Sequence, residues 1–274
     1  MPELPEVETV RIGLEAQIGC NRIIGVEIRR YDLRIPIPED LKTRLLECRI
    51  SSYSRRGKYL LLHLNNHNIW LIHLGMSGRI IVNSGNPEKL GKHDHLVVYF
   101  EGSLQLVYND PRRFGLIDII GNDILQSHRL LSSMGPEPLS ESFNAEVLIS
   151  ALKNRKISIK AALLDQKIVA GIGNIYACEA LFYAQISPKR TAANIRIYQA
   201  RRLVSAIKFV LEKAIESGGS SLKDYVNTSG ELGYFQHNFS VYGKEGKPCR
   251  ECGKEIKKII QNGRSTFFCP FQQR

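Results

Sequence analysis

Short apolar runs of period two, recurring between turn-forming residues, constrain this chain more than any other feature. Ile24, Val26 and Ile28 alternate with polar neighbours, and similar runs follow at 59–64, 69–74, 79–82, 96–100, 104–108 and 116–120. Asn65-Asn66 and Asn83-Ser84-Gly85-Asn86-Pro87 are among the breaks between them. Successive strand side chains point to opposite faces, so each run offers one face for burial, and many short strands satisfy that need by stacking. The spacing predicts a β-sandwich or flattened barrel over residues 1–125. Only the start differs: Val7, Val10, Leu14 and Ile18 fall at helical spacing.

Beyond the joint Met134-Gly135-Pro136-Glu137-Pro138 the period becomes helical. Val147, Leu148, Ala151 and Leu152 form one stripe; Leu203, Ile207, Val210, Leu211 and Ala214 form a longer one, stopped by Gly218-Gly219. Residues 219–240 are polar and glycine-punctuated, long enough for a functional loop. The predicted class is therefore α+β, with a β-sandwich domain over 1–125, a helical domain over 126–240 and a short-stranded hairpin over 241–274.

Lys plus Arg number 38 against 27 Asp plus Glu, a net charge of +11. That excess favours a polyanionic partner, most commonly nucleic acid. The opening Met1-Pro2-Glu3-Leu4-Pro5-Glu6 has no basic and apolar segments of a secretory signal, and no run approaches the ~20 apolar residues of a membrane span. The expected setting is the reducing cytoplasm, so the six cysteines are not read as a disulfide framework.

Cys249-Arg250-Glu251-Cys252-Gly253 has the form of a zinc knuckle, in which a turn aims two thiolates at one metal. A second pair is needed, and Cys269-Pro270-Phe271-Gln272 supplies one thiolate, with Gln272 where the fourth ligand should stand. Three readings stay open. Zinc is held by Cys249, Cys252 and Cys269 with water, Gln272 or a nearby group; or the hairpin stands without metal on Phe267, Phe268 and Ile259; or the C-terminus is altered. Lys254, Lys257, Lys258 and Arg264 make the same hairpin a candidate phosphate-binding finger.

Six strings now point one way: Met1 to Val10, Arg55-Arg56-Gly57-Lys58-Tyr59-Leu60, His73-Leu74-Gly75-Met76-Ser77-Gly78, Lys92-His93-Asp94-His95, Asn109-Asp110-Pro111-Arg112-Arg113-Phe114-Gly115 and Gly171-Ile172-Gly173-Asn174-Ile175-Tyr176. Together, and in this order, they resemble the formamidopyrimidine-DNA glycosylase family. The resemblance runs from residue 2 almost to the end, Gln272 being its one clear departure. It implies a helix–two-turns–helix motif in the helical domain, a C-terminal zinc finger and damaged double-stranded DNA as partner; a monomer suffices for an enzyme that scans DNA by electrostatic attraction and is the expected state.

The resemblance also implies roles. Loss of Met1 frees the secondary amine of Pro2 to attack C1′ of a damaged nucleotide, expel the base and form a Schiff base. Glu3 moves protons, Lys58 assists β-elimination, and Arg264 contacts phosphates and assists δ-elimination. Met76, Arg112 and Phe114 fill the gap left by the extruded base. His93, Arg155, Lys160 and Asn174 contact DNA, the last at a glycine-flanked helix N-terminus where backbone amides approach a phosphate. The loop over 217–242 caps the base, with Ser220, Ser221, Thr228 and Tyr234 as unranked contacts. Taken residue by residue, each of these has an ordinary structural alternative: Glu3 as a first-turn carboxylate, Met76 and Phe114 as core, His93 and His95 as a metal-binding pair. Two competing functions remain: an endonuclease VIII-like glycosylase for oxidised pyrimidines, and a DNA-binding protein without catalysis.

Overall fold

The computed structural model describes residues 1–85, 89–220, 228 and 235–274. Helix α1 (Leu4–Ile18) begins three residues before the apolar stripe does, because Pro5 suits a first turn, where an amide hydrogen would have no partner. The Glu6 carboxylate accepts from the backbone of Glu3, 2.8 Å away, which closes the helix start. Val7, Val10, Leu14 and Ile18 are all buried, and each such side chain contributes about 1.5–3 kcal/mol over leaving it in water.

Two four-stranded antiparallel sheets receive that stripe. One has the order β1 (Ile23–Ile28), β6 (Asp94–Phe100), β7 (Leu104–Asn109), β5 (Arg79–Ser84). The other has β2 (Ile50–Arg56), β3 (Tyr59–Leu64), β4 (Asn68–His73), β8 (Leu116–Gly121). Leu60, Leu62, Trp70 and Ile72 of one sheet share a core with Leu96, Val98, Leu106 and Tyr108 of the other and with α1. Two elements carry no apolar periodicity and were not expected from sequence. One is β2, whose outward positions are Ser and Arg; the other is the short helix α2 (Leu41–Leu45). Register brings β2 in: Tyr53 pairs with Leu62 and Arg56 with Tyr59.

The chain forms two compact units. The first joins Met1–Ser132 with Ser217–Tyr234; the second joins Ser133–Glu216 with Phe235–Arg274. In the second, α3 (Ala145–Leu152) is capped by the Asn144 side chain and α4 (Ile159–Leu163) by that of Ser158. Two turns over 164–173 lead from α4 to α5 (Asn174–Tyr183). The Gln166 side chain braces them, accepting from Gly171 and donating to the Ile172 carbonyl. Helix α6 (Ile197–Glu216) buries the long stripe from Leu203 to Ala214. The antiparallel hairpin β9 (Lys257–Gln261) and β10 (Arg264–Phe268) turns at Asn262-Gly263, both at positive φ, the pair that a two-residue hairpin turn favours. Among the described residues no helix is long and apolar enough to cross a membrane.

Candidate active site and metal centre

Pro2 and Glu3 are buried immediately before α1. Glu6 fixes this start from a second direction: its other oxygen accepts from both the backbone and the hydroxyl of Ser220, at 2.8 and 2.9 Å. Lys58 is 8% exposed and lies in the tight turn between β2 and β3, one residue after Gly57 at φ 56°. Nearby, Arg55 donates to Glu8 and to the Gly57 carbonyl, which braces that turn. Burial, then the charges of Lys58 and Arg34, push the His73 imidazole down to about 4. It is therefore neutral near pH 7, and its Nδ1 accepts from the Gly75 backbone at 3.0 Å.

Met76, Arg112 and Phe114 sit on two loops that the structure brings together. All three are exposed, and the Arg112 guanidinium lies 4.8 Å from the Phe114 ring centre. Sequence reading missed what joins the loops, the fully buried Asp110. Its carboxylate accepts from Ser77 Oγ at 2.6 Å in one loop and from the Gly115 backbone at 2.8 Å in the other. Ser77 Oγ in turn accepts from the Arg112 backbone. Gly75, at φ 61°, lets the loops close: a Cβ there would stand 2.4 Å from the Phe114 carbonyl carbon. In the sequence Asp110 stood within the string from Asn109 to Gly115, with nothing to mark it as the joint between the loops.

His93 is half-buried with its ring edge-on to that of the buried His95. His95 is occupied by the Asp110 carbonyl, and among the described residues no metal-ligand cluster includes the pair. Thr228 is buried, accepting from Gln17. Ser221 and Tyr234 lie outside the described residues.

In the second unit, Arg264 is exposed beside the hairpin turn. Lys160 is 1% exposed, and its ammonium donates to the Ser265 carbonyl and to Thr266 Oγ1 at 3.1 and 2.7 Å. Asn174, the first residue of α5, donates to the same Ser265 carbonyl at 2.9 Å. Both side chains thus hold β10 next to Arg264, and Lys160 faces the hairpin rather than an open surface. Arg155 is partly exposed and pairs with Asp165 at 3.2 Å.

The sulfurs of Cys249, Cys252 and Cys269 lie within 4.8 Å of one another, Cys252 and Cys269 at 3.5 Å. Zinc–thiolate bonds of about 2.3 Å in a tetrahedron require sulfurs about 3.8 Å apart. This donor set fits zinc, which would act structurally by tying the knuckle to the strand end.

Comparison with known proteins agrees with this geometry. The family model described as formamidopyrimidine-DNA glycosylase N-terminal domain matches residues 1–117. That of its H2TH domain matches 134–226, and a zinc finger found in FPG and IleRS matches 246–270. A formamidopyrimidine-DNA glycosylase of Rhodospirillum centenum is 50% identical over 290 residues, covering all of both chains. A Lactococcus lactis FPG mutant, solved in complex with a Fapy-dG-containing DNA, superposes with a TM-score of 0.92 at 38% identity over the whole of both chains. The wild-type Lactococcus lactis FPG bound to an oxidised-pyrimidine-containing DNA gives 0.91 at 38% identity, again over all of both chains. This chain belongs to the formamidopyrimidine-DNA glycosylase family, DNA glycosylases of base excision repair.

Proposed function

We propose that this enzyme excises oxidised purines, 8-oxoguanine and formamidopyrimidines, from duplex DNA and then opens the strand by β- and δ-elimination. The nucleophile is the amine of Pro2 after removal of Met1. Its lone pair attacks C1′, the C1′–N bond to the base breaks, and opening of the sugar leaves an iminium joining C1′ to Pro2. Glu3 supplies the proton to the opening sugar. Lys58 assists removal of the first phosphate, and Arg264 holds the phosphates for the second.

The observation that carries this reading is the chain immediately before α1. Pro2 and Glu3 are both buried there, and Glu6 in the first turn links Glu3 to Ser220. Removal of Met1 turns the Pro2 nitrogen into an amine next to the Glu3 carboxyl group, a pairing that a merely structural terminus does not need. Met76, Arg112 and Phe114 are the residues assigned to the gap in the duplex, and His93, Arg155 and Asn174 to its backbone. Lys160 serves the DNA from beneath the hairpin. One zinc per chain, held by Cys249, Cys252 and Cys269, stiffens the finger that carries Arg264, and the enzyme works as a monomer.

Borohydride trapping on a duplex with one 8-oxoguanine opposite cytosine tests the nucleophile. A covalent adduct, lost when an extra residue precedes Pro2, is the expected result; an adduct that survives the extension would overturn it. Oxidised pyrimidines form a second substrate class worth testing, since one was seen bound to a relative 38% identical to this chain.

A further inference from the structure

We infer that Arg55 and Glu8 are positioning residues for Lys58: Glu8, on α1, holds the Arg55 guanidinium against the Gly57 carbonyl, and that contact locks the middle peptide of the turn that carries Lys58. The inference rests on the reading of Lys58 given above. Arg56 pairs with Tyr59, so the hairpin of β2 and β3 turns in two residues, Gly57 and Lys58. Gly57 stands at φ 56°, while Lys58 is not among the residues at positive φ. That combination is a type II′ turn, with glycine at its first central position. Types I′ and II′ differ by a flip of the peptide between the two central residues. Here that peptide joins Gly57 to Lys58, and it is planar, so the direction of its carbonyl oxygen sets that of the Lys58 backbone. Arg55 Nη1 donates to this oxygen at 2.9 Å.

The guanidinium is held in turn. Its Nε donates to Glu8 Oε2 at 2.9 Å, and the pair is largely out of water, with side chains 9% and 17% exposed. The other Glu8 oxygen accepts from Arg11 Nε at 2.8 Å, which fixes the carboxylate on α1. Arginine suits this place because its planar fork serves two acceptors at fixed angles, whereas a lysine ammonium is a point charge on a flexible stem. The helix that begins beside Pro2 and Glu3 thereby reaches the Lys58 turn through one carboxylate and one guanidinium.

Strand cleavage by the full-length chain at a preformed abasic site in duplex DNA tests this. Lys58→Ala should slow it on the order of 100-fold. Arg55→Lys and Glu8→Gln should each slow it about 10-fold, in kcat rather than KM, because they misplace a group without removing it. In a Lys58→Ala background the same two substitutions should slow it by less than about 2-fold more, since nothing is left to position. A role confined to folding would multiply with the loss of Lys58, so equal fractional losses in both backgrounds would overturn the inference. Full activity of either single variant in folded protein would overturn it too. Thermal melting identifies a variant that fails to fold, and Glu8→Gln, which keeps the side chain's size, serves where Arg55→Lys does not. Cleavage unchanged by Lys58→Ala would instead overturn the reading of Lys58 itself.

Discussion

Glu6 Oε1 accepts from both the backbone and the hydroxyl of Ser220, 214 positions along the chain, while its Oε2 accepts from the backbone of Glu3. The proposed nucleophile and proton donor are thus anchored through a neighbouring carboxylate rather than by the two residues alone. Glu6→Ala leaves these buried donors without their acceptor, and a hydrogen bond to a charged group is worth about 1.5–3 kcal/mol. Chemical denaturation should show a loss of about 3 kcal/mol, with a fall in borohydride-trapped adduct. Ser220→Ala, which removes one donor, should cost about 1–2 kcal/mol. Unchanged trapping in stable Glu6→Ala protein would rule out the anchoring role.

Asp110 is the device that holds the Met76 loop to the Arg112–Phe114 loop. Asp110→Ala strips the acceptor from Ser77 Oγ and from the Gly115 backbone, both buried. The expected loss is about 3 kcal/mol by denaturation. Incision of lesions in duplex DNA should fall more than incision at a preformed abasic site, where no base has to leave the stack. Equal losses on the two substrates would argue against a wedge built on these loops.

Gly75 admits no side chain. Its φ of 61° strains any residue with a Cβ, and that atom would stand 2.4 Å from the backbone of Phe114. Gly75→Ala should destabilise the protein by about 2 kcal/mol or more, seen as an earlier midpoint in urea. It should also part the two loops, visible as changed amide shifts at Met76 and Gly115.

His73 gives the fold a pH dependence whose sign is fixed. The folded imidazole titrates near 4, below the usual 6.5, so as pH falls the unfolded chain takes the proton first. The stabilisation is complete above about 6.5 and is lost as pH falls towards 4, with a total on the order of 3 kcal/mol. His73→Gln removes this titration, and its denaturation midpoint should vary less over that window. A variant with the same slope as the natural chain would show that other groups account for the acid sensitivity.

The sequence by itself determined the strands from Tyr59 onwards whose apolar runs alternate or fill both faces, the start of α1 to within three residues, and the family, through six ordered strings. These are local codes. A period of two or of 3.6 residues, a glycine at a turn or a cysteine pair can be read within a window of ten. Strand β2 escaped that reading because only Ile50 and Tyr53 of its seven residues are buried, and cross-strand pairing with β3 decides it. Tertiary structure alone decided which polar groups meet: Glu6 with Ser220, Asp110 with Ser77 across 33 positions, Lys160 with Thr266 across 106. A buried polar side chain must find a partner wherever packing places one, and packing is a property of the whole chain. That is why Lys160, in sequence one more cation on a basic chain, becomes in the fold the support of the strand beside Arg264.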